Sequence, residues 1–160
     1  MKLKIDLGET LSVASPSHSK KIGIVGSGED KFTTVGKTKA KEIIRELLSD
    51  PDSIAVSGHS PMGGVDMWVE EISRELGKEP IIFPSKKNQW SGGYKDRNLQ
   101  IAEESDEVHV IVTNSYPLDY KGRRFNLCYH CNKTDHIKSG GCWTANQSKK
   151  GIWHIIDNGE

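Results

Sequence analysis

Apolar residues fall in short unbroken runs, separated by longer stretches in which they recur at helical spacing. Ile22-Gly23-Ile24-Val25 is such a run, and it stops at Gly26-Ser27-Gly28. An apolar run without polar alternation belongs to a strand covered on both faces. Over residues 38–48, Ala40, Ile43, Ile44, Leu47 and Leu48 sit three or four positions apart, which predicts a helix closed by Asp50-Pro51-Asp52. The alternation then repeats. A second strand is expected at 54–56, a helix at 65–76 with Gly77 as its stop, a third strand at 80–84, a helix at 96–104 and a fourth strand at 107–113. A short helix at 143–150 and a last strand at 152–156 complete the pattern. Strands alternating with helices predict an α/β fold with a parallel sheet, whose right-handed crossovers align the loops after the strands along one edge.

The first 20 residues differ from the rest. Residues 2–6 alternate and predict a short strand, while 12–21 is rich in Ser, Pro and Lys and reads as a linker or arm. Residues 21–160 then form a single domain, a division that suits a chain of 160 residues. Residues 114–141 are an irregular, cysteine-containing insertion within it.

Twenty-two basic against 22 acidic side chains gives zero formal charge, which excludes a broad basic surface for duplex nucleic acid or an anionic membrane but leaves room for a local basic cleft. No stretch approaches the roughly 20 apolar residues of a membrane span, and the opening lysines are followed by no apolar secretory core. The cytoplasm is the expected compartment.

Sixteen glycines in 160 residues exceed the average of about 7%. Nine fall in four clusters, Gly26/Gly28, Gly58/Gly63/Gly64, Gly92/Gly93 and Gly140/Gly141. Three of the clusters lie on or near the edge where open α/β sheets bind ligands. Each pair alone is also consistent with ordinary loop chemistry.

Gly26-Ser27-Gly28 after the first strand, Ser57-Gly58 followed by Gly63-Gly64-Val65-Asp66, Arg97-Asn98 opening a helix, and Ser139-Gly140-Gly141-Cys142-Trp143-Thr144 resemble the SLOG superfamily over about residues 21–157. That superfamily contains Rossmann-like domains, among them the cytokinin-activating phosphoribohydrolases and the DNA-processing protein A group. The resemblance implies about five parallel strands with helices on both faces, and a nucleotide or nucleotide-derived ligand at the C-terminal edge of the sheet. By the same resemblance, Gly140, Gly141 and Thr144 hold a phosphate beside Gly26, Ser27 and Gly28, Gly63 and Gly64 admit a nucleoside, and Asp66 accepts from a ribose hydroxyl. Arg97, next to Asn98, faces the phosphate or the scissile sugar. Alternatives remain for two of these: Asp66 as a helix-start carboxylate favoured by the macrodipole, and Arg97 as a surface ion pair. The family's Pro-Gly-Gly-x-Gly-Thr-x-x-Glu motif is altered here, with Trp143 in place of a glycine and Gln147 in place of the glutamate. Glutamine can hydrogen-bond a sugar but cannot serve as a general base, so binding as a sensor is favoured over phosphoribohydrolase chemistry.

Cys128, Cys131, His136 and Cys142 have the spacing C-x2-C-x4-H-x5-C. Thiolates from a two-residue turn with an imidazole suit tetrahedral zinc, and a structural Cys3His site is expected, with His130 as an alternative ligand. Unrelated loop cysteines are the other reading. Lys121, Arg123, Arg124, Lys133 and Lys138 interleave with Tyr116, Tyr120, Phe125, Tyr129 and Trp143. That mixture suits single-stranded nucleic acid as well as a solvated loop. A homodimer is compatible with the sequence, though no exposed apolar stripe requires one.

Overall fold

The computed structural model describes residues 19–159, so the strand expected at 2–6 lies outside the described residues. Five strands, β1 (Lys20–Gly26), β2 (Ser53–Ser57), β3 (Ile81–Ile82), β4 (Glu107–Thr113) and β5 (Gly151–Ile156), form one parallel sheet in the order β3-β2-β1-β4-β5. The helices α1 (Thr34–Leu47), α2 (Val65–Glu75), α3 (Lys95–Glu104) and α4 (Gly141–Gln147) connect or precede them. The expected α/β architecture, with its parallel sheet and its cysteine-rich loop, is present.

Strand pleating divides the core into two layers. Ile22, Ile24 and Ile111 face Ala40, Ile44 and Leu48 of the α1 region and Val65, Trp68, Val69 and Ile72 of α2. Val25, Val108, Val110 and Val112 face Ile101 of α3 and Cys142 and Ala145 of α4. Every residue of β4 is buried, as a strand sandwiched between helices requires.

Among the elements whose bounds differ from the sequence reading, three do so for an evident local reason. α1 starts at Thr34 rather than residue 38 because the Thr33 hydroxyl accepts from the Gly36 N–H at 3.0 Å and caps it. β3 has two residues rather than five, since Pro80 and Pro84 bracket it and neither can donate to the ladder. α4 spans 141–147 rather than 143–150. The Ser139 hydroxyl accepts from the Gly141 N–H at 3.2 Å and brings the start forward, while Ser148 adopts extended backbone and ends it.

Burial of β4 encloses two ionisable residues, and a hydrogen-bonded chain satisfies them. The Lys20 ammonium lies 3.0 Å from one Glu107 oxygen, His109 Nε2 lies 2.6 Å from the other, and His109 Nδ1 lies 2.8 Å from His154 Nε2. With Glu107 as acceptor, His109 Nε2 donates to it, and His109 Nδ1 and His154 Nε2 share one hydrogen bond. Burial opposes the Glu107 charge, yet the bonds from His109 and Lys20 outweigh it and hold the carboxyl below its usual range. Burial, reinforced by neighbouring His109, pushes His154 down and favours its neutral form.

A depressed carboxyl contributes stability above its unfolded value and loses that contribution as pH falls through the folded value. Glu107→Gln is therefore expected to destabilise the protein by about 1–2 kcal/mol at pH 7. In urea titrations at several pH values, the difference from wild type should shrink as pH drops below 4.5. A difference that stays constant down to pH 3 would show that the charge on Glu107 contributes nothing.

Candidate functional site

β1 and β4 are neighbours in the sheet, but the chain leaves them toward opposite faces, to α1 after β1 and to α4 after β4. The two loops therefore part and leave a crevice at the C-terminal edge, the place where open α/β sheets bind ligands. A cleft of about 190 Å³ occupies it. Gly26, Ser27, Gly28 and Lys31 form one wall, and Tyr116, Tyr120, Arg123, Phe125, Lys138, Ser139 and Gly140 form the other.

The walls carry three cations and no carboxylate. Lys31 lies 3.2 Å from exposed Asp30, whereas among the described residues no carboxylate pairs with Arg123 or Lys138. Both of these lean on Phe125 instead, with Arg123 at 4.6 Å and Lys138 at 4.9 Å from its ring centre. Tyr116 and Tyr120 stack with centroids 4.8 Å apart. Arg124 is a strut for this wall: its guanidinium donates to the carbonyls of Pro117, Leu118 and Tyr120. The Tyr116 hydroxyl accepts from the Phe125 N–H at 3.1 Å.

The glycines of the expected site play two different parts. Gly28 and Gly140 have ordinary negative φ, and a Cβ at Gly140 would meet nothing within 4 Å, so their small size keeps the cleft open. Gly64 has φ 87°, and a Cβ there would sit 2.5 Å from the Ser27 carbonyl oxygen. Gly63, at φ 88°, packs on Glu29. These two let the loop after β2 close on the loop after β1, with the Val65 N–H donating to the Ser27 carbonyl at 3.2 Å, and neither lines the cleft.

Two buried hydroxyls, Ser27 Oγ and Thr144 Oγ1, have no hydrogen-bond partner among the described residues. A buried hydroxyl left unpaired costs about 1–3 kcal/mol, and Ser27 belongs to the cleft wall.

Asn158, 1% exposed, ties the two walls together from beneath. Its amide Nδ2 donates to the Lys31 carbonyl at 3.0 Å and to the Ser115 carbonyl at 2.8 Å. Its Oδ1 accepts from the Thr33 N–H at 3.1 Å, and its carbonyl accepts from the Thr33 hydroxyl at 2.7 Å. A lone Asn near the end of the sequence carries no signal for this role, because all its partners are distant in the chain.

Asp66 and Arg97 meet each other beside the cleft rather than on its walls. Arg97 Nη1 lies 3.9 Å from Asp66 Oδ2 and 3.4 Å from the Gly58 carbonyl, and Arg97 Nε donates to Asn98 Oδ1 at 2.7 Å. The Ser57 hydroxyl donates to Asp66 at 3.3 Å. Burial pushes the Asp66 carboxyl up, against the opposing pull of Arg97. His59, on the same loop, has φ 62° and sets Nδ1 2.6 Å from Glu70, a contact that no sequence spacing announced. Gln147 is exposed at the end of α4, and Trp143 packs edge-on against Trp90 at 4.9 Å.

Cys128, Cys131, His136 and Cys142 converge, with all their donor atoms within 4.8 Å of one another and no disulfide among them. A metal bound tetrahedrally to sulfur at about 2.3 Å separates two sulfurs by about 3.8 Å. Cys128 Sγ and Cys142 Sγ are 3.8 Å apart, and His136 Nε2 lies 3.3 Å from Cys131 Sγ and 3.9 Å from Cys142 Sγ. His136 Nδ1 donates to the Ile137 carbonyl at 2.8 Å, which leaves the Nε2 lone pair facing the sulfurs. Trp153 Nε1 donates to Cys142 Sγ at 3.3 Å. Burial pushes the Cys142 thiol up, a penalty that a cation among the thiolates would offset. This donor set could hold a metal ion. His130 is outside it and lies against Tyr129.

No protein-family model, curated protein or solved structure matches the chain. No helix among the described residues is long and apolar enough to cross a membrane.

Asn158→Ala leaves the Lys31 and Ser115 carbonyls and the Thr33 N–H without that partner. It is expected to lower stability by about 2–4 kcal/mol in chemical denaturation, several times the effect of an ordinary surface change. For the metal centre, elemental analysis of purified protein should find one bound ion per chain, and Cys128→Ser should lose it. Wild type without metal would remove the centre from the account.

Proposed function

We propose that the chain binds a phosphorylated, nucleotide-type ligand in the cleft between the β1 and β4 loops, and that the Cys3His cluster is a structural zinc site. The observation that carries the first part is the cleft's chemistry: Arg123 and Lys138 with no carboxylate partner among the described residues, Lys31 beside exposed Asp30, the Ser27 hydroxyl buried in the wall, and aromatic rings on the same wall. Cations and hydroxyls complement phosphate oxygens, and flat rings complement a base. The resemblance of the glycine motifs to SLOG domains supports the same reading. α4 has only seven residues, so the side-chain cations rather than its N-terminus supply the attraction for the anion. Three thiolates with one imidazole are a donor set that favours zinc over harder cations.

Catalysis is the second reading. A buried carboxyl beside a guanidinium, as in Asp66 and Arg97, suits cleavage of a nucleotide N-glycosidic bond, and with Gln147 in the motif Asp66 would serve as the acid or base. Binding stands first because neither residue lines the cleft.

A thermal-shift screen with AMP, ADP, ADP-ribose, cyclic dinucleotides and short oligonucleotides tests the assignment. Stabilisation by a small nucleotide is the expected result. Gly140→Leu, which fills the cleft without straining the backbone, should abolish the shift, and Lys138→Gln should weaken binding about ten-fold. Stabilisation by oligonucleotides alone would point to single-stranded nucleic acid, and release of free base from AMP would establish the hydrolase. A wild-type response that survives Gly140→Leu would place the ligand elsewhere.

A further inference from the structure

We propose that the metal centre regulates the cleft, so that metal binding and nucleotide binding strengthen one another; this rests on the nucleotide reading above. The structural basis is a seven-residue segment that belongs to both sites. His136 and Cys142 are metal donors, and the residues between them include Lys138, Ser139 and Gly140, which are cleft wall. Contacts besides the metal donors also hold the shared segment, among them the core packing of Cys142 and the bond that Trp153 Nε1 donates to its sulfur. The Ile137 N–H donates to the Thr113 carbonyl at 3.0 Å, and Ile137 is buried. The Ser139 carbonyl accepts from the Cys142 N–H at 3.2 Å and lies 3.9 Å from Cys128 Sγ. The opposite donors, Cys128 and Cys131, follow Arg123 and Phe125, so the same centre anchors the far end of the wall.

The direction of the effect follows from the stiffness of the segment. With no cation, those backbone bonds and the contacts between the donors hold the segment, and nothing joins all four donors at once. With a cation, four bonds fix His136 and Cys142 relative to Cys128 and Cys131, and Lys138 is held in place before the ligand arrives. A ligand bridging Lys138 to Lys31 and Ser27 in turn restrains the segment that carries two of the four donors. Linkage requires the same factor in both directions.

The experiment uses full-length protein and ADP as the probe. ADP affinity is measured by calorimetry on zinc-loaded protein and on protein treated with chelator, with circular dichroism confirming that the fold is kept. Zinc affinity is measured on intact protein by competition with a chromophoric chelator, with and without saturating ADP. The expected result is at least about a five-fold loss of ADP affinity on metal removal and an equal gain in zinc affinity with ADP present. If metal removal unfolds the protein, the competition measurement decides by itself. Equal ADP affinity in both forms with zinc affinity unmoved overturns the coupling and leaves the nucleotide reading intact. ADP binding by neither form overturns both.

Discussion

Everything distinctive about this molecule depends on the parting of two neighbouring parallel strands. β1 and β4 are paired through Gly26 and Ile111, and the Ser27 N–H continues the ladder to the Ile111 carbonyl at 3.2 Å. Beyond that bond the chains diverge, one toward α1 and the other toward the cysteine loop. A Cβ at Gly26 would collide with the Ile111 carbonyl, so glycine is required where the strands part. Two devices then keep the crevice at a fixed width. Asn158 ties the Lys31 and Ser115 carbonyls together below it, and the Cys128–Cys131–His136–Cys142 cluster, with the proposed metal bound, would brace the opposite wall.

The charge distribution gains its meaning from that geometry. A chain with equal numbers of acidic and basic residues concentrates Lys31, Arg123 and Lys138 in one small cleft. Cations on a concave, partly apolar surface attract anions more strongly than the same charges spread over a convex one, because water screens them less. Their aromatic neighbours hold two of them through ring contacts rather than ion pairs, and both remain available to an anionic ligand.

How far the sequence reveals all this varies with the range of the interactions involved. The strands and helices were legible because their apolar spacing is local, and the metal donors because C-x2-C and a nearby histidine sit within 15 residues. The cap at Thr33 shifted α1 by four positions, a single hydrogen bond outweighing the spacing rule. The Lys20–Glu107–His109–His154 chain and the Asn158 clamp were not legible, since each joins elements far apart in sequence. The glycine clusters mark the sheet edge that carries the cleft but not their separate uses: Gly28 and Gly140 leave the cleft open, while Gly63 and Gly64 let one loop pack on another.

The proposed ligand sits between the β1 and β4 loops and nowhere else on the sheet edge. Amide chemical-shift mapping of zinc-loaded protein titrated with ADP locates it. The largest shifts are expected at Gly26, Ser27, Gly28, Lys138, Ser139 and Gly140. Shifts confined to residues 58–66 and 97–98, around the Asp66–Arg97 pair, would contradict that placement.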